Sequence, residues 1–142
     1  ELKFIFLEHD TFWVPGLMWH MDVDWKSVRD YTPWVKRLPS EYIREHIRFG
    51  TQPMEQPPTQ ADLKKFLEWL HADEVLVYAS DYPHWDWDNP TTLLPGISAQ
   101  LKRRIFAETA YELYKSRLQM EYDLVQPGQA LKYTKAQEAV GT

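Results

Sequence analysis

The sequence contains no cysteine, no excess of basic residues and no long apolar run, and each absence excludes a class of protein. Without cysteine there are no disulfide bonds, no thiolate metal ligands and no cysteine nucleophile. No apolar stretch approaches the roughly 20 residues that cross a membrane, and no signal peptide precedes the first predicted strand. We therefore expect a soluble protein that binds no membrane, and the absence of disulfides favours a reducing cytoplasm.

The charge balance argues against nucleic acid as a partner. Lys and Arg total 16 while Asp and Glu total 21. The net charge is therefore −5, and the chain lacks the excess of basic residues that binds a nucleic-acid phosphate backbone. The chain also lacks a His-Glu-x-x-His helix, a glycine-rich phosphate loop and a nucleophile elbow. At 142 residues it has the length of one ordinary domain, and a small-molecule substrate is the better default.

The apolar pattern predicts strands that alternate with helices, as in a parallel α/β sheet. Apolar runs predict strands at 2–7, 46–51 and 75–79. Helices are predicted from Val14, over 41–45 behind a Pro39-Ser40 cap, along 63–70, after a Ser98 cap, and from a Thr109 capping box to about Leu118. Residues 1–118 are thus predicted to form the folded unit, and 119–142 an extended tail.

Asp81 lies at the carboxyl end of a predicted strand, where parallel α/β sheets carry their catalytic and ligand-binding residues. It follows the predicted strand at 75–79 and opens a loop that also carries His84 and Trp85. Ligands gather at strand carboxyl ends because the strand fixes the side chain while the loop supplies shape. A turn residue that bonds its own backbone is the alternative interpretation. The aromatic content of the loop favours function, since exposed loops seldom carry so much aromatic surface with nothing against it.

Three β/α units would leave the sheet incomplete. A three-stranded parallel sheet of apolar strands exposes two long edges and much of both faces, which favours aggregation. We infer that another part of the fold covers them. The chain also starts at Glu1 without an initiator methionine, as expected if something upstream has been removed.

The strongest functional signal is a set of five segments in a fixed order. They are Leu-Glu-His-Asp-Thr-Phe-Trp at 7–13, Pro-Ser-Glu-Tyr at 39–42, Gly-Thr-Gln-Pro-Met-Glu at 50–55, Ala-Ser-Asp-Tyr-Pro-His-Trp-Asp at 79–86, and Ala110 with Leu113 and Tyr114. Over residues 2–118 the chain resembles the C-terminal part of the amidohydrolase-related family that includes aminocarboxymuconate-semialdehyde decarboxylase. The family's Asn-Ala pair appears here as Thr109-Ala110, a change that concerns packing or capping.

The resemblance implies a metal-dependent (β/α)8 TIM barrel, of which this chain forms strands six to eight. A missing N-terminal part or a second chain would complete it. Asp81 takes the place of the acid after strand eight, which binds the metal and takes part in proton transfer. The ligand after strand six is Glu8 or His9, with Glu8 first because its spacing to Trp13 fits that alignment. One or two divalent ions are implied, zinc first, with manganese or iron as alternatives.

The same resemblance assigns His84, Trp85 and Trp13 to the substrate pocket, an aromatic wall that suits a flat carboxylated or ring substrate. The family's His-x-His pair after strand one and its histidine after strand five have no counterpart in the sequence. We therefore expect a fragment, or one piece of a nicked or two-chain assembly, with no complete active site of its own. Its expected partners are the N-terminal barrel half and, once assembled, further copies of the same protein.

Three functions stay open. The breadth of the family favours a hydrolase of a small carbonyl compound, in which Asp81 takes a proton and returns it to the leaving group. The second is a non-oxidative decarboxylase of an unsaturated or aromatic acid, in which Asp81 protonates the carbon that loses carbon dioxide. The third is a non-catalytic barrel remnant that binds a partner through its aromatic loop. Both enzymatic interpretations require the missing barrel half.

Overall fold

The computed structural model describes residues 2–118, with only the backbone described for 115–118, so the predicted tail at 119–142 lies outside the described residues. The described part consists of three short strands and the helices between and after them. In chain order the elements are β1 (Phe4–Phe6), α1 (Trp13–Val28), a 3₁₀ turn (Arg29–Tyr31), α2 (Pro39–His46), β2 (Ile47–Gly50), α3 (Gln60–Leu70), α4 (Ala72–Val75), β3 (Leu76–Val77), α5 (Ala99–Arg103), a π-helical turn (Arg104–Glu108) and α6 (Thr109–Leu118).

The strands form one parallel sheet in the order β1-β2-β3. Phe4 pairs with Ile47 and Phe6 with Phe49, and Phe49 pairs with Leu76 on its other side. Parallel pairing of consecutive strands across intervening helices is the arrangement that the alternating sequence pattern predicts. The predicted parallel α/β unit is therefore confirmed.

The apolar faces of α1 and α3 fill the core beside the sheet. Val14 and Met18 of α1, Leu63 and Leu67 of α3, and Phe49 of β2 belong to one cluster of buried side chains. Burying a side chain of this kind contributes about 1.5–3 kcal/mol relative to leaving it exposed. This packing holds α1 and α3 against the sheet.

Side-chain caps begin two of the helices. Thr59 Oγ1 accepts the N–H of Asp62 at 3.1 Å where α3 starts, and Ser98 Oγ accepts the N–H of Leu101 at 3.1 Å where α5 starts. Each cap satisfies one of the amides that a first helical turn leaves without an intrahelical partner. The Ser98 cap that the sequence predicts is confirmed.

The predicted Pro39-Ser40 cap of α2 is wrong. The helix already begins at Pro39, whose missing N–H costs nothing in a first turn. The N–H of Leu38 donates to the Glu41 carboxylate at 3.0 Å. Ser40 instead ties the helix to α1, since its N–H and hydroxyl donate to the Asp22 carboxylate at 2.9 and 2.7 Å.

The predicted capping box at Thr109 is also wrong. The backbone is helical on both sides of Thr109, because α5, the π-helical turn and α6 follow one another without a break. The N–H of Thr109 donates to the carbonyl of Arg104, five residues back, and its hydroxyl donates to the same carbonyl at 3.0 Å. An N-cap hydroxyl accepts a backbone N–H, whereas the Thr109 hydroxyl donates to a carbonyl of the π turn, so it does not cap the start of a helix.

All three strands are shorter than predicted, since β1 covers Phe4–Phe6 of the predicted 2–7 and β2 covers Ile47–Gly50 of the predicted 46–51. Val75 closes α4 instead of opening the strand, and β3 covers only Leu76–Val77 of the predicted 75–79. Within residues 2–118, no helix has both the length and the apolar character that a membrane span requires.

Candidate active site

The exits of all three strands are tied together at the carboxyl edge of the sheet. The N–H of Glu8, after β1, donates to the carbonyl of Gln52 at 3.3 Å. The N–H of Thr51, after β2, donates to the carbonyl of Val77 at 3.1 Å. Since the strands are parallel, polar residues that follow them collect on one edge, where ligands bind in α/β folds.

Thr51 carries the pairing beyond the end of β3. Its Oγ1 donates to the carbonyl of Ala79 at 3.2 Å and accepts the N–H of Ala79 at 3.1 Å. Because Thr51 is fully buried, these bonds are shielded from competing water. They fix the segment that leads directly into Asp81.

Glu8 and Asp81 both have left-handed backbone, with φ of 59° and 55°. Asp is among the residues that adopt this region most readily, but a non-glycine residue there costs roughly 1–2 kcal/mol. The hydrogen bonds at Gln52 and Ala79 hold the neighbouring backbone in place against that cost. Backbone strain of this kind clusters at functional sites.

The loop from Ser80 to Asp88 is closed at its base. The N–H of Asp88 donates to the carbonyl of Ser80 at 2.9 Å, and the hydroxyl of Tyr78 donates to the carbonyl of Asp88 at 2.7 Å. Inside the loop the N–H of His84 donates to the carbonyl of Asp81 at 2.8 Å. These bonds turn the loop back so that residues 81, 84 and 86 face one another.

Asp81, His84 and Asp86 form a compact group of possible metal ligands. One ligand atom from each lies within 4.8 Å of the others. Nδ1 of His84 is 2.9 Å from Oδ1 of Asp86 and 3.1 Å from Oδ2 of Asp81. The side chain of His84 is 64 % exposed and those of Asp81 and Asp86 are 33 % and 37 % exposed, so the group is open to solvent on this chain.

The two carboxylates set the charge of the histidine. The pKa of His84 is raised, first by the hydrogen bond with Asp86 and then by the charge of Asp81, with Glu8 making a smaller contribution. The pKa of Asp86 is lowered, chiefly by the same hydrogen bond. The pKa of Asp88 is raised, because its carboxyl is partly buried and lies near the charge of Asp86. The group thus favours a positive centre between two negative carboxylates.

The donor set suits a divalent cation. One imidazole nitrogen and two carboxylate oxygens are ligands that zinc, manganese and iron all accept, and catalytic zinc sites commonly use three protein ligands. In the structure Nδ1 of His84 lies between the two carboxylates. A cation bound there would compete with the proton on Nδ1. The residues therefore fit a divalent ion.

Neither predicted strand-six ligand belongs to this three-residue group. Glu8 acts on His84 only as a nearby negative charge. The ring of His9 meets Phe6 edge-on, with centroids 5.8 Å apart, and the His9 carbonyl accepts the indole N–H of Trp13 at 2.9 Å. Coordination by Glu8 or His9 stays a prediction.

The predicted aromatic wall is spread over two loops. Trp13 opens α1, packs edge-on against Phe49 with centroids 5.8 Å apart, and holds the exit of β1 through its indole N–H. Trp85 is 88 % exposed at the tip of the other loop. Their contact with a substrate stays a prediction.

The sequence reasoning missed Asp86 and Thr51. The signal for Asp86 was present, because His84 and Asp86 stand two residues apart in a loop that already carries Asp81. Thr51 gave no signal, since a threonine after a strand is common and its two bonds to Ala79 depend on the pairing of β2 with β3.

A family model described as amidohydrolase matches residues 1–115. Because the match covers most of the chain, the chain belongs to the amidohydrolase family, and the predicted family resemblance is confirmed. No curated protein matches the chain.

Two solved structures are similar to this chain over part of their length. The 5-carboxyvanillate decarboxylase LigW from Sphingomonas paucimobilis is similar with a TM-score of 0.56 and 21 % identity, over 80 % of this chain and 34 % of that one. A dihydroxybenzoic acid decarboxylase from Polaromonas sp. JS666, with bound manganese and the inhibitor 2-nitroresorcinol, gives a TM-score of 0.45 and 20 % identity over the same shares. The chain thus spans about a third of a TIM-barrel decarboxylase and has the fold of that part.

Proposed function

We propose that the chain forms strands six to eight of an amidohydrolase barrel and supplies part of a metal-dependent active site. The observation that carries this proposal is the group formed by Asp81, His84 and Asp86 beyond the end of β3. Family membership and the shared fold with LigW support the barrel, and the ligand chemistry of the group supports the metal. By their chemistry, zinc, manganese and iron are all candidates.

The open edge of β1 supports completion by further strands. In the described sheet β1 is an end strand, paired with β2 on one side only. Phe4 of this strand is 53 % exposed, and Leu2 and Leu7, which flank it, are 69 % and 54 % exposed. An apolar open edge is an aggregation hazard unless it is covered. We propose that the rest of the barrel joins there, from the same polypeptide or from a second chain.

Non-oxidative decarboxylation of a carboxylated aromatic or unsaturated acid is the reaction that we favour. LigW, whose fold the chain shares, acts on such an acid. A bound divalent ion would supply Lewis-acid polarisation of a coordinated oxygen. Asp81 would hold a proton and deliver it from a carboxyl oxygen to the ring carbon that loses carbon dioxide. His84 would hold the metal through its neutral ring, beside the carboxylates of Asp81 and Asp86.

Hydrolysis of a small carbonyl compound is the second candidate, and it is favoured by the family description itself. Asp81 would then accept a proton from water and return it to the leaving group. The two reactions differ in product, because only decarboxylation releases carbon dioxide. A binding role without catalysis is a third proposal, in which the exposed Trp85 meets a partner and the metal is dispensable.

The experiment is an activity assay on the chain joined with its upstream barrel half. Carbon dioxide release from a panel of hydroxybenzoic acids and hydrolysis of amides and lactones are followed side by side, with zinc or manganese added. We expect Asp81→Asn to lower turnover by about 10²–10⁴-fold with folding preserved. Asp30→Asn, on the exposed 3₁₀ turn, is the matched control and should match the wild type. Full turnover in the Asp81→Asn variant would exclude the catalytic role.

A further inference from the structure

Tyr78 connects the π-helical turn at Arg104–Glu108 to the loop that carries the possible metal ligands. It directly follows β3, and its backbone, ring and hydroxyl each have a different partner. We infer that Tyr78 is a positioning residue that holds the group of Asp81, His84 and Asp86 in place from behind. The effect on metal affinity rests on the proposed function, whereas the effect on the loop does not.

The backbone link depends on the π-helical turn. In a regular α-helix the carbonyl of Ile105 would accept the N–H of Thr109, but here that N–H donates to Arg104. The carbonyl of Ile105 is thereby released, and it accepts the N–H of Tyr78 at 3.0 Å. The π turn thus attaches the continuous helix of α5 and α6 to the end of the strand that leads to Asp81.

The ring link aims the hydroxyl. The ring of Phe106, also in the π turn, stacks on the ring of Tyr78 with centroids 4.7 Å apart and an interplanar angle of 16°. Aromatic packing of this kind contributes about 0.5–1.5 kcal/mol beyond its buried area. Held on its face by Phe106, the tyrosine ring has little freedom to swing its hydroxyl away from the loop.

The hydroxyl link closes the loop. It donates to the carbonyl of Asp88 at 2.7 Å, while the N–H of Asp88 donates to the carbonyl of Ser80 at 2.9 Å. Asp88 is therefore fixed through both of its backbone groups, and the three possible ligands lie between it and Ser80. Burial raises the pKa of Tyr78, so the phenol keeps its proton and acts as a donor. Mutating a residue that bonds a metal ligand directly commonly lowers metal affinity by 10–100-fold, and for Tyr78, which acts through the Asp88 backbone, we expect the lower end of that range.

The test compares Tyr78→Phe with the wild-type chain. The variant removes only the hydroxyl and keeps both the ring stack and the backbone bond to Ile105. Manganese alone is the probe, titrated into the chain joined with its upstream barrel half and followed by the loss of the free-ion electron paramagnetic resonance signal. We expect about tenfold weaker manganese binding and faster hydrogen exchange at the Asp88 amide, with unchanged exchange at the Tyr78 amide. Tyr31→Phe is the matched control, since Tyr31 is 82 % exposed and belongs to the 3₁₀ turn.

Two further readouts separate the possible outcomes. Phe106→Leu keeps the hydroxyl but loosens the ring, so its effects should have the same direction and a smaller size. A lower unfolding midpoint in Tyr78→Phe with wild-type manganese affinity and wild-type Asp88 exchange would make Tyr78 a structural residue only and overturn the inference. If the wild-type chain joined with its upstream barrel half binds no manganese, the proposed metal site fails, and Asp88 exchange alone decides whether Tyr78 positions the loop.

Discussion

Thr51 holds Ala79 at both of its backbone groups, as donor to the carbonyl at 3.2 Å and as acceptor from the N–H at 3.1 Å. One buried side chain thereby makes two hydrogen bonds that a neighbouring strand backbone would otherwise make. Val77 is the last residue of β3, so this contact extends the ordered strand exit two residues closer to Asp81. The position of the candidate catalytic carboxylate thus depends on a residue that follows a different strand.

We predict that Thr51→Val destabilises the chain by about 1–3 kcal/mol, because it keeps the shape of the side chain but leaves the N–H and carbonyl of Ala79 without their partner. Urea unfolding measures the loss. Thr51→Ser keeps the hydroxyl and should lose less than Thr51→Val. Equal losses in the two variants would show that the methyl group, and not the pair of hydrogen bonds, stabilises this exit.

The sequence was sufficient to predict the parallel α/β unit but not the contacts between its loops. Apolar runs report burial, and they indicate the positions of the three strands but overestimate the length of each, most of all at β3, where Val75 ends α4. Capping patterns were less reliable, because Thr109 has the residues of a capping box but follows helical backbone. Asp81 could be found because strand exits are visible in the sequence. Its neighbours His84 and Asp86 meet it only through the closed loop, which depends on Tyr78 and Asp88.

We predict that Asp86→Asn lowers the pKa of His84, since the hydrogen bond with Asp86 is the main cause of its rise. Nuclear magnetic resonance titration of the His84 ring in the metal-free chain measures the change. With a folded pKa above the ordinary 6.5, the pair stabilises the fold below pH 6.5 and loses this effect as pH rises through the folded value. Asp88→Asn is the control, because Asp88 does not contribute to the rise. A smaller shift in Asp86→Asn than in this control would contradict the assignment.

From the ion pair between Arg44 and Glu74 we predict that the stability of the fold changes at low pH. Arg44 donates twice to the carboxylate, at 2.8 and 2.6 Å, and lowers the pKa of Glu74. A depressed carboxyl pKa stabilises the fold above the ordinary value of 4.5, and the effect is lost as pH falls through the folded value. The side chains are 33 % and 39 % exposed, so solvent screening limits the gain.

We therefore expect Glu74→Gln to cost about 0.5–1 kcal/mol at pH 7 and nothing at a pH well below 4.5. Thermal unfolding of the variant and the wild type across this pH range gives the comparison. Glu68→Gln on the exposed side of α3 serves as the control for removing one negative charge. A difference between Glu74→Gln and the wild type that persists at low pH would show that the loss is not electrostatic.

The hydroxyl and the N–H of Thr109 both donate to the carbonyl of Arg104 in the π turn, so we predict that Thr109 stabilises this turn. Thr109→Val removes the hydroxyl of a side chain that is only 1 % exposed, and we expect a cost of about 0.5–1.5 kcal/mol in urea unfolding. Because the π turn also presents the carbonyl of Ile105 to Tyr78, hydrogen exchange at the Tyr78 amide should become faster in the same variant. Thr109→Ser keeps the hydroxyl and should leave that amide as slow as in the wild type. Unchanged exchange in Thr109→Val would mean that the packing of Ile105 and Phe106, and not the threonine hydroxyl, maintains the π turn.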